Sequence, residues 1–104
     1  MKRFNVWLKL VLPRALEEQM VDHLLQHPEW AGPFVAQYVD GHGAPERIAS
    51  NAEQVRGRAE RVQIELPMVE EDARALLAHL IHELAGADIT WWLTPVLDGG
   101  SFNP

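Results

Sequence analysis

The residues best suited to chemistry lie where glycines and arginines meet. Gly41-His42-Gly43 opens one stretch of chain, and Arg56-Gly57-Arg58, with Arg61 close behind, ends it. Glycine lets a ligand approach the backbone, and a guanidinium fork matches phosphate or carboxylate oxygens through two parallel hydrogen bonds. Gly41, His42, Gly43, Arg56, Gly57, Arg58 and Arg61 are therefore the candidate binding residues, suited to an anionic small molecule or an acidic partner surface. Pairing of these arginines with Glu46, Glu53, Glu60 and Glu65 is an equally good reading for any one of them. His42, between two glycines, is the candidate metal ligand or proton-responsive group. His23 and His27, and likewise His79 and His82, have spacings that can put two imidazoles on one metal, but two ligands do not make a site. His27-Pro28 closes a helix, where imidazole suits the dipole, and His79 and His82 fall opposite an apolar stripe, so both pairs read as surface histidines. There is no nucleophile motif, no phosphate-binding P-loop and no carboxylate paired with a base at a recognisable spacing.

Composition narrows the classes. A chain of 104 residues holds one core, so residues 1–104 form a single domain. An apolar fraction of 47% and four tryptophans argue against disorder. Fifteen acidic against nine basic residues give a formal charge of −6, which opposes attraction to nucleic acid or an anionic membrane. The absence of cysteine excludes disulfides, thiolate metal sites and cysteine nucleophiles and fits a reducing compartment. No apolar run approaches the roughly 20 residues of a bilayer span, so the expectation is a soluble, cytoplasmic protein that is not membrane-embedded.

The glycine–arginine cluster needs a scaffold, and the apolar pattern supplies one. Phe4, Val6, Leu8, Leu10 and Leu12 alternate as in a strand with one buried face, ending at Pro13. Leu16, Met20, Leu24 and His27 follow at helical spacing. Residues 34–39 predict a second strand and residues 58–66 a third, with Val62, Ile64 and Leu66 inward until Pro67. Ala73, Leu76, Leu77, Leu80, Ile81 and Leu84 fill one helix face behind the acidic turn Glu70-Glu71-Asp72, and the helix runs out at Gly86. Ile89, Trp91 and Leu93 then alternate in a fourth strand closed by Pro95, before a tail over residues 96–104. The order βαββαβ predicts an α+β, ferredoxin-like fold: a four-stranded antiparallel sheet with both helices on one face. Residues 41–57 form an unusually long loop between strands two and three, in which Ser50-Asn51-Ala52-Glu53 reads as a capping box for a short helical turn.

With Val6 and Leu8 inward, Trp7 and Val11 face away from the helices, and Trp92 does so if Trp91 points in. Covering one large apolar side chain contributes about 1.5–3 kcal/mol. Trp7, Val11 and Trp92 are thus the candidate interface between copies of the chain, the alternative being a tail folded across that face.

The segments Leu12-Pro13-Arg14-Ala15-Leu16-Glu17-Glu18, His27-Pro28-Glu29, Gly41-His42-Gly43, Ala52-Glu53-Gln54-Val55-Arg56-Gly57-Arg58 and Trp92-Leu93-Thr94-Pro95-Val96, which sample nearly the whole chain, resemble the PII-like signalling proteins and their CutA-like relatives. Within that superfamily they resemble a bacterial branch associated with heavy-metal efflux systems of the resistance–nodulation–division (RND) type. The resemblance implies a homotrimer whose sheets pack around a central axis and a mobile loop over residues 41–57. It also implies a cytosolic regulator rather than an enzyme, with a nucleotide or a divalent transition metal as effector and a membrane transporter of the metal-efflux type as partner. Ala85-Gly86-Ala87-Asp88 is short and carries no basic residue, so the family's phosphate-binding loop before the last strand is not implied, and Tyr38 lies in strand two rather than in the loop. A second reading is a small dimeric α+β-barrel enzyme with a histidine base, its pocket lined by His23 or Tyr38. A third, an RNA-binding sheet with Trp7 and Trp92 as stacking platforms, is opposed by the net charge and by the absence of aromatics from Arg58 to Ile64.

Overall fold

The computed structural model describes residues 4–42 and 58–103. Strand β1 (Val6–Pro13) leads through one 3-10 turn (Arg14–Leu16) into helix α1 (Glu17–Gln26). Strands β2 (Val35–His42) and β3 (Arg58–Met68) follow, then helix α2 (Glu70–Glu83) and strand β4 (Thr90–Pro95). The sheet order is β2-β3-β1-β4 with every pairing antiparallel, which is the expected ferredoxin-like layout.

The two central strands explain the core. Val6, Leu8, Leu10 and Leu12 of β1 lie in register with Met68, Leu66, Ile64 and Val62 of β3, and all are buried. Period-2 alternation puts them on one face, where Met20 and Leu24 of α1 and Ala73, Leu76, Leu77 and Leu80 of α2 cover them. α2 ends as expected: Gly86 has φ 82°, a left-handed conformation that costs glycine nothing. Among the described residues, no helix is long and apolar enough to cross a membrane.

Element ends depart from the expectation in β1, β2 and β3, and one side chain departs in its exposure. Phe4 lies outside β1 and is 46% exposed, because the strand begins at Val6. Asn5 instead joins three segments: its N–H donates to the Met68 carbonyl, its own carbonyl accepts from Val96 N–H, and its side-chain Oδ1 accepts from Glu70 N–H at 2.8 Å. That last bond satisfies an N-terminal donor of α2 from outside the helix. Pro67 does not stop β3, which runs on to Met68. β2 pairs with β3 only as far as Val35 opposite Glu65, so Pro67 has β1 as its sole strand neighbour and its missing N–H is tolerated. β2 continues past Val39 to His42, with Gly41 opposite Ala59 and His42 opposite Arg58. Trp91 faces the helices as expected, opposite Leu10, yet is 39% exposed because β4 is an edge strand.

Candidate functional site

The strands on either side of residues 43–57 are fixed at their roots. Pro13 stands opposite Arg61 in the β1–β3 register and has no N–H to offer. Its neighbour Arg14 supplies donors instead, from Nε to the Arg61 carbonyl at 3.1 Å and from Nη2 to the Val39 carbonyl at 3.4 Å. Val39 and Arg61 are register partners, so one guanidinium ties together the two strands that flank residues 43–57. The same group lies over the Tyr38 ring, 4.6 Å from its centroid, and 4.0 Å from Asp40 Oδ1. Tyr38 in turn donates its hydroxyl to Glu17 Oε1 at 2.9 Å, joining β2 to the start of α1. The hydrogen bond to Glu17 and then the Glu17 charge push the Tyr38 hydroxyl above its ordinary range, with the Arg14 charge opposing.

Of the candidate binding residues, Gly41 and His42 close β2 and Arg61 lies in β3. Arg61 has a carboxylate partner beyond the glutamates proposed for it. Its Nη2 bonds Asp88 Oδ2 at 2.9 Å, and its side chain is 12% exposed. A Cβ on Gly41 would sit 3.3 Å from Arg61 Cγ, so this glycine makes room for the arginine stem. His42 is exposed, opposite Arg58. Gly43, Arg56 and Gly57, the capping box at Ser50–Glu53 and the Arg58 side chain lie outside the described residues. Among the described residues, no group of three His, Cys, Asp or Glu side chains is arranged to hold a metal ion. Arg14, Glu17 and Asp88 belong to this base and were not singled out as site residues from the sequence, and Tyr38 entered only as a pocket residue of the enzyme reading; the one available signal was an arginine directly after a strand-ending proline.

The second feature is the open face of the sheet. The register places Trp7, Lys9 and Val11 of β1 on it together with Glu65 of β3 and Trp92 of β4, so the three candidate interface residues share one surface. Trp7 Nε1 donates to Glu65 Oε1 at 3.2 Å, Lys9 Nζ lies 3.5 Å from the same oxygen, and Lys9 also sits 5.7 Å from the Trp92 ring centroid. Trp92 remains 41% exposed. The tail runs beside Trp7 and Pro67, where Leu97 to Ser101 line a crevice with them, and Trp92 takes no part in that lining.

The histidines correct an expectation. His82 is exposed as anticipated, but His79 is half-buried: its Nε2 is buried and has no hydrogen-bond partner among the described residues. Its ring meets His27 edge-on at 4.3 Å, with His23 at 5.8 Å and Trp30 at 5.9 Å, while His27 and Trp30 stack at 5.0 Å. α1 and the turn after it pack against this flank of α2, which the position of the apolar stripe alone did not reveal.

Comparison with known proteins places the chain. Residues 3–103 match a family profile described as a protein of unknown function, DUF3240. A DUF3240 family protein from Shewanella baltica OS155 has a similar crystal structure, with a TM-score of 0.74 at 18% identity over 96% of this chain and 98% of that one. CPII, a nitrogen regulatory PII-like protein from Thiomonas intermedia K12 solved with ADP, AMP and bicarbonate, gives 0.70 at 15% identity over 95% of this chain and 97% of that one. A Bacillus cereus protein related to NIF3 gives 0.66 at 14% identity, this chain covering 97% of itself but 27% of that larger protein. At these identities the likeness establishes the fold. None of the curated proteins matches the chain.

Proposed function

For a chain that belongs to the DUF3240 family, we propose a regulatory binding role of the PII-like kind rather than catalysis. Copies of the chain associate as a homotrimer through the open face around Trp7, Val11 and Trp92. Residues 41–57 change conformation when an anionic small molecule or a divalent transition metal occupies the loop base near Gly41, His42, Gly43, Arg56, Gly57, Arg58 and Arg61. The responding loop then engages a transport protein of the metal-efflux type in the cytoplasm.

The observation that carries this reading is the fixed base under a glycine-bounded segment. Arg14 ties Val39 to Arg61, and Asp88 holds Arg61 from the turn before β4. A switch needs two loop states that differ by a few kcal/mol above a scaffold that does not move with them. The Thiomonas protein, with the same fold, is bound to the anions ADP, AMP and bicarbonate, which supports an anionic effector over a neutral one. The enzyme reading has less support: the cleft under Trp91 and the crevice beside Trp7 are lined by neither His23 nor Tyr38.

Isothermal titration with ADP, AMP, ATP, bicarbonate, nickel, copper, cobalt and zinc tests the sensor. Binding of one of them that weakens in Arg61→Met supports it, and no binding to any of them refutes it. Native mass measurement tests the assembly separately.

A further inference from the structure

We infer that His23, His27, His79 and Trp30 form a proton-responsive latch between α1 and α2, closed while His79 is neutral and released when His79 takes up a proton. The inference goes beyond the proposed loop function and does not depend on it.

The titratable groups facing one another come from three pieces of chain. α1 brings His23, with His27 at its C-terminal cap; the turn that follows brings Glu29; and α2 brings His79. Trp30 completes the cluster, stacked on His27 at an interplanar angle of 18°. Its position is fixed by backbone bonds that no proton alters, since Trp30 N–H and Ala31 N–H both donate to the His27 carbonyl and Ala31 is buried.

The two central imidazoles have unequal provision for charge. His27 has an acceptor: its Nδ1 lies 3.3 Å from Glu29 Oε2, and a cation there would also lie against the Trp30 ring. His79 has none at Nε2, which is buried without a partner among the described residues, and its ring centroid lies 4.3 Å from that of His27. A proton on His27 is therefore accommodated, whereas a second on His79 places an unpaired donor and a like charge in the same contact. Glu29 reports this electrical connection. Its own backbone N–H first, then the His27 hydrogen bond, then the charges of His27 and His79 hold its carboxyl below its ordinary range, with desolvation opposing. Glu29 thus stays ionised across the interval in which histidine changes charge and remains an acceptor for His27. The edge-on packing of His79 against His27 is the contact that yields, and the connection leading from α1 into β2 loosens with it.

The test is an NMR titration of the full chain between about pH 7.5 and pH 5, the interval in which histidine changes charge. Imidazole nitrogen shifts follow protonation of each ring, and cross-relaxation follows the His27–His79 and His79–Trp30 contacts. The expected result is loss of both contacts as His79 protonates, while the contact across Leu10 and Ile64 in the sheet persists. His79→Phe keeps a ring and removes the proton site, so its contact with His27 should survive at the acid end. If circular dichroism shows that this variant does not fold, the titration is repeated in His27→Phe, where removal of the neighbouring charge should let His79 protonate with its Trp30 contact retained. Protonation of wild-type His79 with both contacts intact, or the same acid loss in His79→Phe, would overturn the inference.

Discussion

Replacing Arg14 with methionine should loosen the base of the β2–β3 hairpin more than any other part of the fold. Methionine keeps the apolar stem but removes the guanidinium. The bond to the Arg61 carbonyl at 3.1 Å is worth about 0.5–1.5 kcal/mol net, and the one to Val39 at 3.4 Å adds little at that length. The contact with the Tyr38 ring at 4.6 Å adds about 0.5–1 kcal/mol at a partly exposed site, while the ion pair with Asp40 at 4.0 Å contributes close to nothing. The sum is about 1–2.5 kcal/mol. At about 4–8 °C per kcal/mol for a domain of this size, the melting temperature should fall by about 4–20 °C, compared at equal protein concentration because association also shifts it. Calorimetry gives the global change. Amide exchange locates it, with faster exchange expected in residues 39–42 and 58–61 and little change at Leu8, Leu10 and Leu66. A melting temperature within about 2 °C of wild type, or exchange that accelerates equally across the sheet, would refute the assignment of Arg14 as the local clamp.

Trp92→Glu places a charge on the open face and should shift the native mass from an assembly to a single chain; an unchanged mass would remove the open face as the interface. Tyr38 is the only tyrosine, so absorbance near 295 nm follows it alone. Because its hydroxyl is held above the ordinary range in the folded chain, the Glu17 bond stabilises below about pH 10 and is lost as pH rises through the folded value. In Glu17→Gln that ionisation should move to lower pH. Leu10→Ala, at a position 1% exposed between the helices and two neighbouring strands, should cost about 2–5 kcal/mol in denaturant melts. Gly86→Ala meets no atom but must adopt φ 82°, so a loss of about 1 kcal/mol is expected from backbone strain alone.

The parts of this molecule that patterning could reveal are those set by near neighbours in sequence. Alternation at Val6, Leu8, Leu10 and Leu12, and the stripe through Leu76, Leu77 and Leu80, report which face is buried, and two βαβ halves follow from their order. Strand ends were less legible, because they depend on which strand lies alongside: Pro67 continues β3 only because β2 has already stopped, and Gly41-His42 extends β2 because Arg58 and Ala59 pair with it. The site was legible by residue type and not by partner. Arg61 was visible as a cation, but Asp88, its partner 27 residues away, comes close only through the β1–β3 register and the turn after α2. His79 was misread for the same reason, since a helix's apolar stripe does not say how far around its flank a second helix reaches.

The junction at Asn5 also makes the fold a route for mechanical load. Tension on the tail beyond Val96 enters the Asn5 carbonyl and is shared at once between Met68 at the end of β3 and Glu70 at the start of α2. A tether attached past residue 96 would therefore pull on the sheet and a helix together, so the tail should detach in one concerted step instead of peeling away residue by residue.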